Sequence, residues 1–533
     1  MKVTIDGNFV SAVAGETILD VATRLGIVIP TLCHLKTGQA SCLVCLVKTG
    51  GKFVPACATK IEDGMVIESE TDEVRQLRRA SLELLLSDHV GDCYAPCQLA
   101  CPARLDIPLM LRQIRSGNPA AAIQTIKETI PFPAVLGRVC PKPCEKICRR
   151  KEIDGAVEIC AMKRYVADFD LAQPKPFLPP AIPSGGKRVV IIGAGPSGLS
   201  AAFYLVRLGH HVALYAQGKT PGGRMRTISE SQLPPSVLDA EIRTVLSLPI
   251  DYYPEERLDW MLPESLAEIQ RSFDAVLICT GTCEPELLEK SGFETEQGRL
   301  RVDPSSFQTS VPNVFATGTI FRAKTTMIVR SVADGREAAE SIHRFLQTGT
   351  THHNVPPYYG VKLGKLSPEE LTGFAEANRN TGTTIAVADC RLSDETVPAA
   401  TVPAATIRAE AIREASRCLH CDCRGRNKCR LLQYASLYQA DGRRFDFVKS
   451  VRKPLVIQRS GTIIYEPGKC IKCGLCVDVT KSSGEEWGLT FFGRGFGVRV
   501  GVPFDEPLQK ALSQSAAEAV NACPTAALSF DDA

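Results

Sequence analysis

The chain changes its hydrophobic rhythm several times. MKVTIDGNFV alternates apolar and polar positions as a half-buried strand does, FVPACATKI and MVIES read the same way, and a short helix fits near Thr17–Leu25. Residues 1–75 therefore read as a small, mainly stranded domain. Further on, VRQLRRASLELLL and AIQTIKETI space their apolar residues three and four apart, which predicts helices to about residue 170. The proline-rich QPKPFLPPAIPSGGK predicts a linker. RVVIIG then opens a stretch in which apolar strands alternate with helical segments, an α/β pattern. A polar segment follows, and then a cysteine-rich remainder. The expected organisation is multidomain α/β and α+β, with boundaries at 1–75, 76–180, 181–350, 351–440 and 441–533.

Length agrees, since 533 residues exceed what one core usually serves. A net charge of +3 without a long basic run gives no sign of a nucleic-acid partner. No apolar run has the length of a membrane span, and the N-terminus lacks a signal-peptide pattern, so the cytoplasm is the expected location. Cysteine changes the picture. Of 22 cysteines, all but Cys279, Cys283 and Cys390 fall in compact groups, and those three read as ordinary thiols. Without export, thiols stay reduced, and grouped cysteines point to metal ligation rather than disulfides.

Cys33, Cys42, Cys45 and Cys57 are spaced C-x8-C-x2-C-x11-C. Soft thiolates at that spacing suit a small iron–sulfur cluster; zinc is the alternative, although structural zinc usually takes two close pairs. The stretch resembles the N-terminal [2Fe–2S] domain of the large iron–sulfur subunit of bacterial complex I and related hydrogenases. That resemblance implies a β-grasp ferredoxin fold and one [2Fe–2S] cluster, with His34 as a tuning neighbour.

DHVGDCYAPCQLACP sets Cys93, Cys97 and Cys101 four apart with His89 ahead of them, and GRVCPKPCEKICRRKEIDGAVEIC adds Cys140, Cys144, Cys148 and Cys160. These stretches resemble the N-terminal helical domain of the glutamate synthase small subunit, which also occurs in dihydropyrimidine dehydrogenase and in electron-bifurcating transhydrogenases. The resemblance implies two [4Fe–4S] clusters with interleaved ligands: His89, Cys93, Cys97 and Cys148 around one, and Cys101, Cys140, Cys144 and Cys160 around the other. His89 is either a ligand or a structural polar group. Relatives often place Gln or Glu just beyond Cys160, where this chain has AMKRY and Lys163 is a poor donor to iron.

KRVVIIGAGPSGLSAAFYLVRLGHHVALYAQ is a strand, a glycine turn, a helix and a second strand. In G-x-G-x-x-G, Gly193 makes the turn, Gly195 admits a pyrophosphate, and Gly198 packs helix on strand. PGGRM, with Gly222 and Gly223, and VPNVFATG, with Gly318, match the same glutamate synthase family in order and imply a Rossmann-type FAD domain. Two departures stand out. Ala216 or Gln217 replaces the acid that holds a ribose, and Thr319 replaces the aspartate near the flavin ribitol. The site is thus an FAD site with its turn complete, or a vestigial one. The family's inserted NAD(P)H-binding domain is missing between CTG and VPNVFATG, so direct NADPH oxidation is not expected.

EASRCLHCDCRGRNKC supplies Cys418, Cys421, Cys423 and Cys429 for a further [4Fe–4S] cluster or a zinc ion, with His420 as a neighbour. EPGKCIKCGLCVDV with NACP supplies Cys470, Cys473, Cys476 and Cys523, half of the bacterial ferredoxin pattern. Thr480 occupies the position of the cysteine that would serve a second cluster, so one [4Fe–4S] centre in a ferredoxin-like domain is expected. No nucleophile–base pair or paired carboxylate stands out. The expected function is an electron relay between redox subunits, with partners of the NADH-binding flavoprotein, hydrogenase or formate dehydrogenase type implied by resemblance. The alternatives are a glutamate synthase-type small subunit and a scaffold with a vestigial flavin fold.

Overall fold

A computed structural model describes residues 1–35, 40–183, 185–281, 283, 285–322, 327–351, 366–378, 404–445 and 456–530. Cys390 lies outside them. Two compact units emerge. One comprises residues 1–95 with the described residues of 366–378 and from 419 onward; the other comprises the described residues of 96–351 and 404–418.

The first unit opens with the hairpin Lys2–Ile5/Asn8–Ser11, turned by Asp6 and Gly7, both at positive φ as a tight hairpin turn requires. Five strands are ordered Asn8–Ser11, Lys2–Ile5, Val66–Glu68, Leu46–Thr49, Lys52–Pro55, with a parallel pair between Lys2–Ile5 and Val66–Glu68. The helix Ile18–Arg24 starts at Thr17, whose side chain accepts from the Asp20 N–H while Asp20 reaches back to the Thr17 N–H. Its Ile18, Val21 and Ala22 bury against Val3, Ile5, Val47 and Ile67, so the sheet grips one helix as a β-grasp does. The helix Asp72–Ser87 follows. The C-terminal part of this unit has the antiparallel sheet Gln458–Ser460, Ile463–Tyr465, Leu528–Phe530 and the helices Leu475–Ser482 and Ala516–Ala522, which pack together.

The second unit joins helices to a parallel sheet. Ile107–Arg115, Pro119–Lys127 and Pro133–Val139 each carry proline in the first turn, where the missing N–H costs nothing. Ile159–Leu171 packs on Pro133–Val139. The sheet order is Val314–Ala316, Ala275–Ile278, Arg188–Ile192, His211–Ala216, Ile250–Pro254, all parallel. One buried core runs from Ile107, Ile123 and Met162 of the helices to Val190, Ile191 and Leu277 of the sheet. Between Ala275–Ile278 and Val314–Ala316 the described residues hold the helix Pro285–Lys290 and a short hairpin, with no second parallel sheet.

Candidate cofactor sites

Cys45 and Cys57 flank the antiparallel pair Leu46–Thr49/Lys52–Pro55, which brings them to the same edge, and Ala56 N–H donates to the Cys45 carbonyl at 3.0 Å. Cys33 and Cys42 arrive from the preceding loop, and all four cysteines are buried. Their sulfurs meet. Hydrogen bonds from Cys42 and Cys57 hold the Cys33 thiol well below its ordinary range, and one from Cys57 brings Cys45 down to about 7. Cys42 and Cys57 are raised in turn, first by their bonds to Cys33 and then by Cys45 or burial. A set of four buried thiols, two of them readily ionised, is a ready donor group for iron.

The C-x2-C-x2-C turn depends on Lys472 and Gly474, both in the left-handed region at φ 58° and 83°. Lys472 N–H donates to the Cys470 sulfur at 3.3 Å, and Leu528 N–H to that of Cys523 at 3.5 Å. Burial raises the Cys476 thiol, and the charges of Cys470, Cys523 and Cys473 raise it further, so these four sulfurs share one neighbourhood. Thr480 has a structural use instead. Its hydroxyl donates to the Val477 carbonyl and accepts from Leu489 N–H at 2.9 Å.

Cys429 caps the helix Arg430–Leu437, its sulfur accepting from Leu432 N–H at 3.4 Å. Its thiol is pushed up to about 12 by burial first, then by Cys423, with smaller contributions from Cys93 and Cys523. Cys423 N–H points at the Cys93 carbonyl at 3.5 Å. Cys93 is thus a neighbour of Cys423 and Cys429, a proximity with no signal in the sequence. Gly425 permits the surrounding loop, since a Cβ there would lie 2.3 Å from that of Ala526. Lys469 is buried beside this group and paired with Glu466, and its charge opposes the burial that raises the Cys423 thiol. Cys421 packs with Phe374 and Leu419. Cys418 belongs to the other unit. His420 is buried.

In the second unit, Cys140 ends the helix Pro133–Val139, Cys144 lies on Pro143–Lys146, and Cys160 begins Ile159–Leu171. Cys160 N–H donates to Glu145 Oε1 at 2.8 Å. Hydrogen bonding to Cys160, then burial, raises the Cys140 thiol; Cys160 stands at about 12, its bond to Cys140 lowering it while Cys144 and burial raise it. Lys163, one turn on, is buried among Cys160, Cys140, Cys101 and Cys144. Burial alone would lower its ammonium, and the four neighbouring cysteines raise it instead. The other expected quartet is divided between units: His89, buried, and Cys93 lie in the first, while Cys97 and Cys148, both half-buried, lie in the second. Among the described residues no three His, Cys, Asp or Glu side chains are arranged to hold a metal ion. Cluster ligands bind separate iron atoms and need not converge on one point.

A cavity of about 430 Å³ opens at the carboxyl ends of the parallel strands. Gly193, Gly195, Gly223 and Gly318 line it. Gly193 has φ 115°, and a Cβ there would meet the Cys279 carbonyl at 2.5 Å; a Cβ on Gly198 would strike the Gly193 carbonyl at 1.9 Å. Gly195 faces open space, where a phosphate would approach the start of the helix Pro196–Arg207. Gly222 shapes the adjoining turn at φ 122°. Ala216, Gln217 and Thr319 line the wall, as do Arg224, bonded to Ser331 at 3.0 Å, and Trp260 and Met261. Cys279 and Cys283, read from sequence as ordinary thiols, line it too. So does Glu256, whose N–H donates to the Ala216 carbonyl at 3.2 Å. Of the lining residues not assigned to the site from sequence, Arg224 stands in the PGGRM motif and Cys279 in CTG, while the 256–261 segment carries no motif.

Comparison with known proteins matches these parts to three families. Residues 1–72 match a 2Fe-2S iron-sulfur cluster binding domain, residues 85–175 match dihydroprymidine dehydrogenase domain II, 4Fe-4S cluster, and residues 191–255 match an NAD(P)-binding Rossmann-like domain. The chain is 35% identical over 191 residues to the NADPH-Fe(3+) oxidoreductase subunit beta of Geobacter sulfurreducens, covering 35% of this chain and 28% of that one. It is 34% identical over 209 residues to the NADP(+)-dependent formate dehydrogenase subunit beta of Moorella thermoacetica, covering 35% and 29%. It is 36% identical over 208 residues to the NAD-dependent dihydropyrimidine dehydrogenase subunit PreT of Salmonella typhimurium, covering 38% and 48%. The chain spans less than half the length of each of these relatives. It is a multidomain protein with a [2Fe–2S]-type domain, a helical [4Fe–4S]-type domain and a Rossmann-like domain, similar to iron–sulfur subunits of oxidoreductases. No helix among the described residues is long and apolar enough to cross a membrane.

Proposed function

We propose that this chain is an electron-transfer subunit of a cytoplasmic oxidoreductase complex, passing electrons singly between partner subunits that carry the substrate chemistry. The carrying observation is the gathering of Cys33, Cys42, Cys45 and Cys57, of Cys101, Cys140, Cys144 and Cys160, and of Cys470, Cys473, Cys476 and Cys523 into three sulfur groups, each buried or half-buried. On this reading they hold one [2Fe–2S] and two [4Fe–4S] clusters. A second helical-domain cluster draws on Cys93, Cys97, Cys148 and His89, and a further one on Cys418, Cys421, Cys423 and Cys429. Clusters are favoured over zinc because residues 1–72 and 85–175 match 2Fe-2S and 4Fe-4S domains, and the remaining cysteine groups lie in the same chain. FAD is the proposed occupant of the cavity, supported by the complete glycine turn at its wall. The domains divide at the boundaries read from the sequence, and partners of the NADH-binding flavoprotein, hydrogenase or formate dehydrogenase type suit relatives that are themselves subunits.

The test is anaerobic purification of the full chain with iron, sulfide and flavin analysis. We expect about 18 iron atoms per chain, the content of one [2Fe–2S] and four [4Fe–4S] clusters, and releasable FAD. A colourless protein carrying zinc overturns the proposal.

A further inference from the structure

The two ends of the chain meet inside the first unit. Leu32, Cys33, Cys42 and Val44 of the N-terminal domain belong to the same buried cluster as Cys473 and Leu475 of the ferredoxin-like part, with Cys470, Cys476 and Cys523 packed against it. A second tie holds the same pieces. Arg78, fully buried on the helix Asp72–Ser87, donates to the Leu46 carbonyl at 3.0 Å and to Tyr438 Oη at 2.9 Å. Glu83 on the same helix accepts from Asp441 N–H at 2.9 Å and pairs with Arg444. Among the charges that reach the Cys473 thiol, after burial and after Cys523 and Cys470, is that of Cys33.

We infer that the centre held by Cys33, Cys42, Cys45 and Cys57 exchanges electrons directly with the centre held by Cys470, Cys473, Cys476 and Cys523, through the buried core that Cys33 and Cys42 share with Cys473, and without passing through the centres of the helical domain. The inference rests on the proposed function and adds a route to it. Electron transfer weakens steeply with distance, and a dry, closely packed path is the favourable one. Each event moves one electron. The [2Fe–2S] centre is oxidised by one and the [4Fe–4S] centre reduced by one, or the reverse, and no bond or proton need change. Cys429, influenced by both Cys523 and Cys93, belongs to the same buried cluster and extends the path toward Cys93.

Power-saturation EPR on the full chain during stepwise reduction tests this. A reduced [4Fe–4S] centre relaxes fast and speeds the relaxation of a close neighbour. The expected result is a several-fold rise in the half-saturation power of the [2Fe–2S] signal, appearing as the Cys470–Cys523 centre becomes reduced and abolished in Cys470→Ala. Cys144→Ala, which disrupts the helical-domain group, is expected to leave the rise intact. The wild-type titration carries the test even where a variant fails to fold. Both clusters present and reduced without the rise overturns this inference alone. Absence of either cluster overturns the proposed function and the inference with it.

Discussion

Lys163 follows Cys160 by three residues, one helical turn, and is 4% exposed. Sequence reasoning saw it only as a poor ligand. On the proposed reading, its burial among Cys101, Cys140, Cys144 and Cys160 fixes a positive charge beside a group that gains negative charge on reduction. Cluster potentials respond to net charge and to the groups around the sulfurs. Lys163→Met is therefore expected to lower the midpoint potential of that centre, while Lys163→Arg holds it near the wild-type value. EPR-monitored redox titration reads the difference, and equal potentials in all three proteins would remove the role. Such a residue is invisible beforehand, because a lysine on a helix is usually solvated and only packing shows which ones are not.

Among elements, the Rossmann unit was the most legible. Its turn, helix and second strand form a contiguous stretch in which each glycine has a local steric reason, and Gly193 and Gly198 fill those reasons here. The same stretch lacked its ribose-binding acid. The structure sets Glu256, just past the next strand, on the same wall of the cavity. Ile250–Pro254 pairs beside His211–Ala216, Glu255 turns the chain at φ 58°, and Glu256 then lines the cavity with its N–H on Ala216. Glu256→Ala is expected to weaken FAD retention several-fold, and Glu256→Asp to restore part of it, measured by flavin fluorescence on reconstitution. Unchanged affinity in Glu256→Ala would show that another group holds the ribose. Strand-to-strand placement of this kind is a product of sheet order, which no motif near residue 256 announces.

At the scale of the molecule, the helices and the Rossmann sheet share one core in the second unit, and Glu241 ties them. Its buried carboxylate accepts from Ala134 and Val135 N–H at 2.6 and 2.8 Å, at the start of the helix that ends at Cys140. Burial raises its pKa from 4.5 to about 7. The folded state therefore binds this proton more tightly than the unfolded one. Its contribution to stability is fully present below pH 4.5 and is lost as pH rises to about 7. Glu241→Gln removes that titration, so its melting temperature is expected to gain on wild type between pH 5 and 7. A constant gap across that range would rule the linkage out.

What the sequence determined by itself was local. Ligand spacing within each cysteine group, the glycine turn, the Thr17–Asp20 cap and the helical rhythm of 107–171 all depend on neighbours a few residues apart, whose geometry the backbone sets directly. What only the tertiary structure decided was which groups adjoin: Cys33 and Cys42 in one core with Cys473, Cys93 beside Cys423, and Glu256 at the wall left open by Ala216. These pairs are joined by buried apolar packing and sheet order across long stretches of chain. Such forces choose partners by shape and burial in three dimensions, and they leave no periodic mark along one.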